Sequence, residues 1–71
     1  MDVTSAQVQK ILTGSQNFSM LSFSMLITRL KGIYAKDNSK ANLERCASEV
    51  TVFIKKYGVA MKADMAIISK L

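Results

Sequence analysis

Residues 40–57, KANLERCASEVTVFIKKY, decide the fold. Leu43, Cys46, Ala47, Val50, Phe53, Ile54 and Tyr57 recur at alternating steps of three and four, so they share one face of an α-helix. Lys40, Glu44, Arg45, Glu49, Lys55 and Lys56 stay off that stripe. The pairs Lys40–Glu44 and Arg45–Glu49 stand four residues apart, a spacing that adds about 0.3 kcal/mol each. Lys55 and Lys56 fall in the last turn, where cations suit the helix dipole, and Gly58 is the expected residue just past the end.

Working back from this helix, Asp37-Asn38-Ser39 carries turn chemistry, short side chains that bond to the nearby backbone. Before it, residues 18–35 read as a second helix. Phe18, Met20, Leu21, Phe23, Met25, Leu26, Ile27, Leu30, Ile33 and Tyr34 cover most of its circumference. A helix apolar nearly all round is buried on several sides or meets a partner. Ser15, Ser19 and Ser22 recur at small-residue spacing that admits a close neighbour, with Ser15 or Asn17 as candidate cap. Met20, Ser22 and Ser24 alternate as in a strand, but no second strand is available to pair with them.

The flanks complete an all-α reading. Thr4-Ser5-Ala6-Gln7 fits a capping box, followed by Val8, Ile11 and Leu12 on one face and Gly14 at the end, so a first helix spans about 5–13. Beyond Gly58, Met61, Met65 and Ile68 share a face beside Ala60, Ala63 and Ala66, which predicts a shorter helix over about 60–70. The expectation is a single domain over residues 1–71, a small bundle of three main helices and a terminal one.

Composition narrows the chemistry. The chain has one cysteine and no histidine or proline, which closes intrachain disulfides and the histidine-based catalytic mechanisms. No phosphate-binding glycine loop and no thiolate or imidazole cluster is present, so neither catalysis nor a cofactor, metal or small-molecule substrate is expected. Cys46 lies on the apolar stripe and reads as a buried structural thiol. The uncharged window 11–28 is broken at Gly14-Ser15, and the apolar run Phe18–Leu30 is shorter than the roughly 20 residues of a spanning helix. Lack of a clean polar face argues against a membrane-surface role. The acidic start, Met1-Asp2-Val3-Thr4, is unlike a secretory signal, so the expected compartment is the cytoplasm.

Two modes of action remain. The excess apolar circumference of the second helix points to helix packing against a protein partner or a second copy. The expected contacts are Phe18, Met20, Leu21, Phe23 and Leu26, helped by the adaptable side chains of Met61 and Met65, with Met25 assigned to the core. The alternative is a basic nucleic-acid-binding regulator. The net charge of +5 gathers as +3 over residues 29–40 and +3 over 55–71, with Arg29, Lys31, Lys36, Lys55, Lys56, Lys62 and Lys70 as phosphate contacts. Against it, dense basic runs and aromatics placed to stack on bases are missing. A helix-turn-helix over Val50–Leu71 fits poorly, because bulky Ile54 and charged Asp64 fall where a small and an apolar residue belong.

Overall fold

The computed structural model describes residues 2–71, arranged as α1 (Ser5–Thr13), α2 (Leu21–Lys36), α3 (Lys40–Tyr57), a 3-10 turn (Gly58–Met61) and α4 (Lys62–Ser69). The all-α bundle expected from the periodicity is present. α1 opens on the anticipated capping box: the Thr4 hydroxyl accepts from the Gln7 amide at 3.1 Å, and the Gln7 side chain accepts from the Thr4 amide at 3.0 Å. Its face of Val8, Ile11 and Leu12 is buried against α2 and α3. The turn into α3 also follows its local chemistry. The Ser39 amide donates to Asp37 Oδ1, and the Ser39 hydroxyl caps α3 by accepting from the Asn42 amide. The Ser39 amide, and then its hydroxyl, hold the Asp37 carboxyl below its ordinary value. This turn is therefore stabilised above the usual carboxylate range and loses that help as pH falls through the lowered value.

α2 and α3 form an antiparallel hairpin. The Phe23 ring packs 5.5 Å from that of Phe53, and Arg29 bonds Glu49 at 2.8 Å further along. Phe23, Ile27 and Leu30 from α2 meet Cys46, Ala47, Val50 and Ile54 from α3 in a core that α1 closes. Val3 adds to it, its amide donating to the Thr51 hydroxyl at 3.3 Å.

The start of α2 departs from the periodicity. The helix begins at Leu21, three residues after Phe18, because a distant carboxylate takes over the backbone there. Asp64, buried at the start of α4, accepts from the Ser19 amide (2.7 Å), the Ser19 hydroxyl (3.0 Å) and the Met20 amide (3.0 Å). Met20, whose side chain makes no cap bond, is held extended at φ −78° and ψ 116°. The carboxylate thus does what Ser15 or Asn17 was expected to do, and it sits where the dipoles of α2 and α4 both favour negative charge. Phe18 folds back so that its ring meets Phe23 edge-on at 4.9 Å.

The end of α3 departs as well. Gly58 has right-handed helical geometry (φ −54°, ψ −38°), not the left-handed stop expected of it. The chain runs through the 3-10 turn into α4, and Tyr57 (φ −120°, ψ 14°) and Met61 (φ −109°, ψ 19°) absorb the bend. A straight helix from Lys40 to Ser69 would be about 45 Å long, whereas the longest extent of the chain is 31 Å. The bend returns α4 to α1, where Gln7 donates to the Ile68 carbonyl and Lys10 to that of Leu71.

Asp64→Ala leaves the Ser19 and Met20 amides unpartnered and lowers unfolding free energy in urea by about 2–4 kcal/mol. Asp64→Asn, which turns a donor toward one of them, is expected to lose about 1–3 kcal/mol. A loss below about 0.5 kcal/mol for either contradicts the clamp. At Gly58 an added Cβ meets only the Met65 sulfur at 3.7 Å, so Gly58→Ala is expected to be neutral or to stabilise by about 0.5–1 kcal/mol. At Gly14 a Cβ would stand 2.7 Å from the Lys10 carbonyl oxygen, so Gly14→Ala destabilises.

Candidate functional site

The outer side of the α2–α3 hairpin carries an open hollow of about 480 Å³. α3 supplies most of its floor because its apolar stripe is wider than α2 can cover. Val50 and Ile54 point inward, while Phe53 and Tyr57 lie toward the edge with their rings 4.6 Å apart, and Val52 stands on the outer side, 65% exposed. Leu26, half-buried, closes the floor from α2. Arg29, Arg45, Glu49 and Lys56 form the rim. The Glu49 carboxylate is engaged by Arg29, and Lys56 Nζ lies 5.3 Å from the centre of the Tyr57 ring. A second hollow of about 600 Å³ opens where the chain bends, lined by Ile54, Val59 and Met65. Lys56 and Tyr57 border both hollows, so one apolar track runs from Leu26 past Tyr57 to Met65.

The residues expected to meet a partner are divided by this arrangement. Leu21 is 74% exposed on the outer face of α2, and Leu26 and Met65 line the two hollows. Phe18 and Met20 are half-buried against the core. Phe23 and Met61 correct the expectation: both are fully enclosed by their own chain and offer nothing to a partner. Phe23 faces inward because the register set by the Asp64 clamp places it opposite Phe53. Met61 ends the bend with its side chain inside. Met25 corrects the reading in the other direction, standing 64% exposed where core was expected.

The surplus of apolar surface on α2 is thus smaller than its composition implies, and it is concentrated at Leu21 and Met25. The total accessible surface, 4486 Å², is close to the roughly 4,400 Å² of a folded monomer of this mass. What marks this face is the composition of one patch, not excess area. Val52 and Val59 escaped notice because each falls off the periodic apolar stripe of its segment.

Of the cations expected at phosphate, Arg29, Lys55 and Lys56 border the apolar track, and the others are dispersed. Arg29 is tied to Glu49, and Lys31 donates to the Gly14 carbonyl at 3.0 Å, closing the end of α1. Lys36 and Lys40 lie at the opposite end of the hairpin from Lys55 and Lys56, about 24 Å away along α3. Lys62 and Lys70 are exposed on or just after α4. Asp64, which weakened the helix-turn-helix reading as a charge in a buried position, is indeed buried, but as the clamp on α2.

Cys46 is 1% exposed, and burial, with the Glu49 charge behind it, pushes its thiol above the ordinary value. Among the described residues no three metal-binding side chains converge, and no helix is long and apolar enough to cross a membrane. No protein family, curated protein or solved structure matches this chain.

Because the Cys46 thiol is enclosed and held protonated, a disulfide reagent near pH 8 is expected to label it at a rate set by opening of the fold, accelerating to completion in denaturant. Rapid stoichiometric labelling of the native protein would show a reactive thiol instead.

Proposed function

We propose that this protein is a small non-catalytic interaction module that works by packing its α2–α3 face against a helix of another polypeptide. The observation that carries this reading is the open apolar floor formed by Leu26, Val52, Phe53 and Tyr57. These side chains are accessible in an otherwise well-enclosed bundle, and antiparallel helices with a furrow between them are a natural seat for a third helix. Leu21 and Met25 add two exposed apolar side chains on α2, outside the hollows themselves. Leu and Met contacts of this kind repack to suit the partner. A second copy and a subunit of a hetero-complex are both compatible with a helix-packing role. The proposed setting is the cytoplasm, supported by a buried, unpaired thiol that a reducing compartment preserves.

Site-specific photo-crosslinking tests the reading directly. A photoreactive side chain in place of Val52 is expected to give a discrete protein adduct in the native cell. The same group at Ala66, exposed on α4, is expected to give none. Val52→Asp is expected to change folding stability by less than about 1 kcal/mol while removing the association. If position 52 yields no specific adduct, or the same adducts as position 66, the interaction role is lost.

A further inference from the structure

We propose that the occupant of the α2–α3 furrow is an acidic amphipathic helix belonging to a different protein, its apolar stripe on the floor and its carboxylates on the rim. This rests on the interaction reading above and adds the chemistry of the partner. Around the apolar track stand Arg29, Arg45, Lys55 and Lys56; Arg29 is bonded to Glu49 at 2.8 Å and Lys55 lies 3.8 Å from Asp2. Arg45 and Lys56 therefore flank the floor with their charge uncompensated by any ion pair within 4.0 Å among the described residues. Carboxylates on either side of an incoming apolar stripe would meet them, with Arg45 able to grip one through two donors.

A second copy is a poor complement. In a two-fold dimer the same surface meets itself, so this cationic rim would face its own image. Nor does the chain hold an acidic helix to offer. Of its five acids, Asp64 is buried in the clamp, Glu49 is bonded to Arg29, Asp37 accepts from Ser39 in the turn, and Asp2 lies beside Lys55. Only Glu44 remains, on a face shared with Ser48 and Thr51.

Nucleic acid fits the same cations less well. Base stacking needs open aromatic faces, but the Phe53 ring lies between those of Phe23 and Tyr57, and Lys56 covers Tyr57. The rest of the floor is aliphatic, and the Glu49 carboxylate sits on the rim where phosphates would pass.

The test uses two synthetic helical peptides of about four turns with identical Leu and Phe stripes, one flanked by Glu and one by Lys. A single-stranded and a duplex oligonucleotide are run beside them. Each is titrated into the isotope-labelled full chain at low salt and at about 0.3 M. The Glu-flanked peptide is expected to shift the amides of residues 26, 45, 52, 53, 56 and 57 saturably. It should bind at least about tenfold more tightly than the Lys-flanked peptide, with that advantage shrinking in salt. Arg45→Glu combined with Lys56→Glu, both exposed positions, is expected to reverse the preference while the protein stays folded by circular dichroism. Equal binding of both peptides, binding of neither, or oligonucleotides displacing the Glu-flanked peptide from these residues overturns the proposal. The two readings fail separately. A Val52 adduct consisting of two copies of this chain rejects the acidic partner and leaves the interaction role standing, whereas no adduct at all rejects both.

Discussion

One buried carboxylate governs how this chain closes. Asp64 binds the amides of Ser19 and Met20 and the hydroxyl of Ser19, so the first residues of α4 and the approach to α2 are joined across most of the sequence. Burying a charge is costly unless donors surround it, and here three do, at the positive ends of two helices. The bond set fixes where α2 begins. With Leu21 as its first residue, Phe23, Ile27 and Leu30 turn inward together and Phe18 is free to cover the edge of the Phe23 ring.

The candidate surface is a consequence of the same register. Rotating α2 so that Phe23 meets Phe53 leaves Leu21 and Met25 on the outside and brings Leu26 to the edge of α3. α3 is the broader of the two apolar faces, and its far edge, Val52, Phe53 and Tyr57, has no helix above it. Glu49 helps to hold the hairpin by bonding Arg29 across it. That exposed pair adds at most about 1 kcal/mol. Its larger effect is to engage the Glu49 carboxylate together with Arg29, which leaves Arg45 and Lys56 as the cations beside the apolar floor that have no ion pair among the described residues.

Features set by short-range chemistry were legible in the sequence. The Thr4–Gln7 capping box, the Asp37–Ser39 turn and the stripe of α3 each depend on residues within a few positions of one another, and each stands as read. The start of α2 was not legible, because it is set by a carboxylate 45 residues away whose burial no local pattern announces. Gly58 misled for a related reason. Glycine commonly ends helices in left-handed geometry, but here the bend is absorbed by Tyr57 and Met61 on either side, and the glycine stays helical. The candidate surface was legible only in part. Leu21 and Leu26, expected from apolar excess, and Met65, expected from its adaptable side chain, are exposed or line the hollows, but the division of the other methionines, Met25 outside and Met61 inside, depends on how the bent run from α3 into α4 packs. Val52 carries no periodic signal, and its significance arises only from lying beside Phe53 on an uncovered edge.

The clamp is tested most directly by amide hydrogen exchange at Ser19 and Met20. Both residues precede α2, their amides donate to Asp64 and to no helical carbonyl, and Ser19 is exposed. If Asp64 holds them, their amides exchange slowly, with protection comparable to that of the first bonded turn of α2. Exchange at the rate of an unstructured chain would mean that the carboxylate does not fix the start of α2, and the register that creates the outer face would lose its cause.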